Sequence, residues 1–128
     1  MSITPQMRIL VAIEPADFRR GIDGLGALCR QHFRENPLHG SVFVFRNRRK
    51  TAIKLLVYDG QGFWLCHKRL SSGKFKWWPP NGDGKNTAVL AAHELQILLF
   101  GGDPGRARTS PIWRSVQPEL TDGGRTGV

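Results

Sequence analysis

A chain of 128 residues with 19 Lys/Arg against 10 Asp/Glu carries a formal charge of +9, and its pI near 10.6 points to an anionic partner, nucleic acid ahead of an acidic membrane surface. The 40% apolar content excludes a disordered chain, and the length suits a single hydrophobic core. No apolar run approaches the roughly 18 residues that span a bilayer, and the start of the chain lacks the small-residue cleavage site of a secretory signal, so a cytoplasmic protein is expected.

Residues 7–13, MRILVAI, are an apolar run that reads as a short buried strand. Pro15 closes it, because its ring removes a donor and holds Glu14 extended. Across residues 17–34, Phe18, Ile22, Leu25, Cys29 and Phe33 recur at helical spacing and make one apolar stripe. Asp17 is a candidate cap. Gly21, Gly24 and Gly26 oppose a helix there, each by about 1 kcal/mol relative to Ala. Either the helix begins near Ile22 or the glycines admit another backbone, and Asn36-Pro37 ends it.

A β-meander is expected over residues 40–78. In its first strand Val42 and Val44 face one way and Phe43 and Phe45 the other, the pattern of a strand covered on both sides. A basic turn follows at residues 46–50. Residues 51–58 and 63–70 are two more strands around Asp59-Gly60-Gln61-Gly62, a strong hairpin signal whose register stays open. Residues 74–78 are the expected last strand. Pro79 to Lys85, PPNGDGK, is turn chemistry. A second helix is expected from Leu90 to Phe100, with Leu95, Leu98 and Leu99 as its core face and Gly101-Gly102 and Pro104 as its stop. Ala91 is a poor cap. The fold class is thus α+β, an antiparallel sheet of about four to five strands with two helices on one face. The expected domain is 1–101, with a Gly/Pro/Ser/Thr-rich flexible tail at 102–128.

The meander also holds most of the excess charge. Residues 40–78 contain nine of the basic residues and a single acid, Asp59, so eight of the nine formal charges reside there. Arg46, Arg48, Arg49, Lys50, Lys54, Lys68, Arg69, Lys74 and Lys76 are candidates for positioning phosphates, with Tyr58, Trp64 and Trp78 as aromatic faces for bases. The bland alternative is a solvated sheet face whose lysines blunt the edges. Arg19 and Arg20 suggest a phosphate-gripping corner or, equally, local pairing with Asp17 and Asp23.

Catalytic patterns fail. His93-Glu94 begins a zinc-protease motif, but Ile97 stands where the second His belongs. Gly84-Lys85 lacks the Ser/Thr and glycine spacing of a P-loop. The four His are scattered, and Cys29 and Cys66 form no CxxC and read as reduced, buried thiols. No enzyme activity, metal or cofactor is expected.

Four ordered motifs resemble one family. Residues 17–25, DFRRGIDGL, are similar to its D-x-R-[KR]-G-x-D-G-L element. Residues 43–49 match F-V-F-x-x-[RK], residues 58–63 resemble W-D-G-x-G, and Lys68-Arg69-Leu70 with Gly73 and Phe75 follows K-R-L-x-x-G-x-F. The family is the small accessory protein, TnpB or second-open-reading-frame type, of the IS-sixty-six group of bacterial insertion sequences. The likeness covers roughly residues 7–101. Ala91 departs from the Ser/Thr usual there. The resemblance implies a role in transposition beside a separate transposase. Two readings follow: a non-catalytic DNA-binding accessory factor, or an adaptor that recruits or stabilises the transposase without touching DNA.

Overall fold

The computed structural model describes residues 7–105 apart from Gly82 and Asp83. Its elements in chain order are β1 (Ile9–Ala12), α1 (Ile22–Gln31), a 3-10 turn (Pro37–His39), β2 (Val42–Arg46), β3 (Ala52–Tyr58), β4 (Phe63–Arg69), β5 (Thr87–Leu90) and α2 (Ala92–Leu99). The five strands form one sheet in the order β4-β3-β2-β1-β5. β1 and β2 are parallel, with Ile9 opposite Val42, and the other neighbours are antiparallel. The fold is α+β as expected. β1, however, lies inside the sheet, and its parallel pairing with β2 requires the crossover that α1 supplies.

The alternation read in β2 has its counterpart in two cores. On one face Val42 and Val44 join Ile9, Val11, Ile53, Leu55 and Val57 beneath Leu95 and Leu98 of α2. On the other, Phe43 and Phe45 join Leu10 and Leu56 beneath Leu25 and Cys29 of α1. The expectation of two helices on one face is therefore corrected. One helix covers each face, because β1, β2 and β3 carry apolar residues on both sides and both must be removed from water. Burial pushes the Cys29 thiol up to about 12, and both cysteines are free.

Local boundaries follow from caps. α1 begins at Ile22 with Gly21 as its N-cap, which leaves Gly21 outside the helix. Asp17 caps no helix; its carboxylate accepts the Arg19 N–H at 3.0 Å instead. The Asn36 side chain accepts from the Leu38 N–H to open the 3-10 turn. At α2, Ala91 is the N-cap, and the missing side-chain oxygen is partly offset by Glu94, whose carboxylate accepts the Ala91 N–H at 2.8 Å. Leu90, expected in that helix, ends β5 instead.

Residues 74–78 are not a strand. Phe75 is buried and Lys74 and Lys76 are exposed, so the alternation is real, but the segment lies across the α2 face and shares one backbone bond with the sheet margin, Phe75 N–H to Lys50 O at 2.8 Å. Pro104 is buried; the tail expected from residue 102 lies outside the described residues from 106 on.

Candidate nucleic-acid interface

The β2–β3 turn is folded by Asn47. Its side-chain oxygen accepts the N–H groups of Thr51 and Ala52 at 2.9 and 3.1 Å, and its amide donates to the Thr51 hydroxyl at 2.9 Å. With the polar work done by one neutral side chain, Arg48, Arg49 and Lys50 are left at the surface, and Lys50 takes a positive φ of 61°.

Register brings other cations to the same end of the sheet. Ala52 pairs with Arg69, and the Leu70 N–H bonds to Thr51 O, so β4 finishes beside the turn. The Phe75–Lys50 bond holds Lys74 and Lys76 there as well. β1 ends at this side too, since the Ala16 N–H bonds to Arg46 O, and residues 15–18 face residues 47–49 across a shallow cleft. Arg48, Arg49, Lys50, Arg69, Lys74 and Lys76 are all exposed. Among the described residues the ion pairs are Arg8 with Glu35 and Arg19 with Asp17, so none of these six cations is neutralised by a paired acid. Asp17, which lines this cleft, is already engaged: the Arg19 guanidinium and backbone N–H hold its carboxyl down to about 2.

The remaining predicted residues divide. Arg19 is exposed but paired with Asp17 at 2.8 Å, not with Asp23. Arg20 is exposed and donates to Gly24 O at 3.2 Å. Lys68 is exposed at the far side of β4, where it donates to Leu99 O at the end of α2 and sits 5.0 Å from the centre of the Phe100 ring. Its position suits a helix C-terminus, where the last carbonyls lack backbone donors.

Four expectations are corrected. Lys54 is not on the surface: it is 7% exposed, and its ammonium donates to Phe18 O at 2.9 Å and Arg20 O at 3.0 Å beneath the Phe18 ring. It ties the segment before α1 to the sheet, a use for a buried charge that depends on its hydrogen bonds. Arg46 is half-buried, stacked 5.7 Å from the centre of the Trp78 ring, with long bonds to Ile13 O and Asn47 O. Burial draws its pKa below the usual arginine value, and its Nε is buried without a partner among the described residues. Trp78 itself is half-buried and donates its indole N–H to Ala12 O at 2.9 Å. It is a strut between β1 and the α2 face. The expectation that aromatics share the basic surface is also corrected, because Tyr58 and Trp64 lie at the Asp59 end of the sheet.

Lys85 was missed. It lies just before β5, whose first residue pairs with Ala12, and so belongs to the basic end of the sheet. Only recognition of β5 would have revealed this, and four residues of Thr-Ala-Val-Leu carry too little alternation. No helix among the described residues is long and apolar enough to cross a membrane.

The profile of the family described as "IS66 Orf2 like protein" matches residues 7–109. This chain belongs to that family. The IS66 Orf2-like proteins are accessory to insertion sequences, and transposition is the setting in which this one works. Two proteins of Sinorhizobium fredii (strain NBRC 101917 / NGR234) are similar to it. Uncharacterized protein y4jC is 39% identical over 111 residues, which cover 87% of this chain and 92% of y4jC. Uncharacterized protein y4hO is 37% identical over 97 residues, 76% and 82% of the two chains. No solved structure matches this IS66 Orf2-like chain.

Proposed function

We propose that the chain is a non-catalytic DNA-binding factor for transposition, cytoplasmic, acting beside a separate transposase and meeting DNA phosphates with the basic end of its sheet. The observation that carries this reading is the set Arg48, Arg49, Lys50, Arg69, Lys74 and Lys76, gathered from three segments and left without ion-pair partners among the described residues. Cations so placed gain free energy from an anionic polymer by releasing its condensed counterions. Four to six phosphate contacts give a log–log salt slope of about −3.6 to −5.4. The accessory character of the IS66 Orf2-like family supports a non-catalytic role.

The adaptor reading has support of its own, since Phe100 is 80% exposed and Trp64 46% exposed, and exposed apolar side chains favour protein contacts. A paired titration separates the two. Changing Arg48, Arg49 and Lys50 to Ser is expected to leave the melting temperature nearly unchanged, each surface substitution being within about 0.5 kcal/mol. The same variant loses affinity for all DNA sequences alike, and its salt slope becomes shallower by about 2.7. A variant that binds DNA as tightly as wild type removes the assignment of this turn as the DNA-contacting surface. Failure of wild type to bind DNA, together with capture of the transposase, establishes the adaptor in its place.

A further inference from the structure

The geometry points to double-stranded DNA, read through its phosphates without regard to sequence, as the ligand of the basic end. This rests on the DNA-binding reading above and narrows it. Recognition of bases needs either an element that enters a groove or aromatic faces on which unpaired bases stack.

Among the described residues the basic end has no free element to insert. α1 and α2 lie on opposite sheet faces with Leu25, Cys29, Leu95 and Leu98 buried in the two cores. The β2–β3 turn is closed within residues 47–52 by the Asn47 side chain and by the Asn47 N–H to Ala52 O bond at 3.2 Å, so it is a blunt rim, not a projecting ribbon.

Among the described residues stacking faces are also largely withheld, Trp77 being half-buried against the α2-side core. Phe75, at the rim itself, is 2% exposed. Trp78 has Arg46 over its ring and its indole N–H bonded to Ala12 O. Trp64 is exposed, but it lies five residues along β4 from Arg69, about 17 Å away at about 3.4 Å per residue. Its indole N–H is bonded to Asp59 at 2.8 Å, which puts an anion beside the one ring a base would approach there. Phe100 is exposed, and the Lys68 ammonium stands 5.0 Å from its centre.

A surface that offers charge without stacking follows charge density. The duplex carries twice the charge of one strand per unit length, and each contact changes the salt slope by about 0.9 on duplex against about 0.7 on a single strand. For about five contacts, that difference of about 0.2 each over the decade between 1 M and 0.1 M salt favours duplex by about tenfold.

The test is fluorescence anisotropy of the full chain at two salt concentrations. The probes are two DNA duplexes of equal length and unrelated sequence, oligo(dT) of that length, and a duplex RNA. Wild type, Phe100→Ala and Trp64→Ala are compared, with melts to confirm that each is folded. The expected result is equal affinity for the two DNA duplexes, oligo(dT) weaker by about tenfold, duplex RNA no tighter than duplex DNA, and both variants bound like wild type. A strong preference for one duplex sequence, equal or tighter binding of oligo(dT), loss of affinity in Phe100→Ala or Trp64→Ala, or preference for duplex RNA each overturns the assignment while leaving nucleic-acid binding standing. Absence of binding to every probe overturns both this assignment and the DNA reading on which it rests.

Discussion

Asn47 and Asp59 each fold a hairpin turn with one side-chain oxygen that accepts two backbone N–H groups, those of Thr51 and Ala52 in the first turn and those of Gln61 and Gly62 in the second. The surroundings differ. Around Asn47 the turn exposes Arg48, Arg49 and Lys50. Around Asp59 there is no cation in the loop, and the carboxylate also accepts the Trp64 indole N–H at 2.8 Å. A charged acceptor would have neutralised part of the first rim, whereas the neutral amide organises the backbone and leaves the cations unopposed. The second turn spends its charge locally, and its three donors hold the Asp59 carboxyl down to about 2. Turn formation and the electrostatic surface are thus separable at one end of the sheet and merged at the other.

The largest expected effect comes from Asn47→Ala. It leaves the N–H groups of Thr51 and Ala52 without their acceptor, and Ala52 is 2% exposed. A buried donor left unsatisfied costs about 1–3 kcal/mol, so a loss of about 2–3 kcal/mol is expected in chemical denaturation. Asp59→Ala is expected to lower the midpoint less, because its loop is exposed and water replaces the acceptor. Equal losses would show that the two turns are not distinguished by burial.

Backbone strain sharpens the contrast. The Asp59 loop places glycine where φ is positive, Gly60 at 98°, and Gly60→Ala is expected to cost about 1–2 kcal/mol. The Asn47 turn places Lys50 at φ 61°. Lys50→Gly relieves that strain, less the extra chain entropy of glycine, for a net gain below about 1 kcal/mol. The same substitution removes a rim cation and is expected to make the DNA salt slope shallower by about 0.9. A variant that melts higher and binds DNA more weakly would separate stability from function at one residue. A variant destabilised by the change would mean that the Lys50 side chain has a structural role.

The sequence discloses what is local and conceals what is decided by strand order. The hairpin over residues 51–70 was legible from Asp59-Gly60 between apolar runs, and its open register resolves as Tyr58 opposite Phe63 around a four-residue loop. The two-faced burial of β2 was legible from Val42-Phe43-Val44-Phe45, whereas the glycines left the start of α1 open between two readings, of which a start at Ile22 is the one found. The helices' placement on opposite faces was not, because it depends on β1 lying between β2 and β5, a relation between segments far apart in the chain. Lys54 illustrates the consequence. In an apolar strand it read as a surface cation, and its burial follows only from the approach of Phe18 O and Arg20 O across the sheet. Arg46 and Trp78 were each candidate surface groups and prove to be partners, brought together by Trp78 reaching Ala12 O. The gathering of Arg48, Arg49, Lys50, Arg69, Lys74 and Lys76 was legible as a charge count and not as a place.

The smallest expected effect is a pH dependence at the Asp59 turn and the Asp17 corner. The Asp59 carboxyl falls from its ordinary 3.8 to about 2 on folding, first through the N–H groups of Gln61 and Gly62 and then through the Trp64 indole. A group whose pKa is depressed by folding contributes stability that is fully present above its unfolded value and is lost as pH falls toward its folded value. That stability is therefore present above about pH 4 and lost as pH falls toward about 2. Asp17 titrates in the same window through Arg19. Asp59→Asn retains the acceptor oxygen and removes the titration, so its melting temperature is expected to fall less steeply than that of wild type between about pH 4 and about pH 2. Asp17 contributes to the residual slope, which is expected to fall further in the double variant Asp17→Asn/Asp59→Asn. At the other end of the sheet Asn47 has no titration to lose, so DNA affinity of Asp59→Asn near neutral pH is expected to match wild type. Parallel acid profiles for wild type and Asp59→Asn would show that the carboxylate's three donors are not made in the folded protein, and the distinction between a charged and a neutral turn would fall with them.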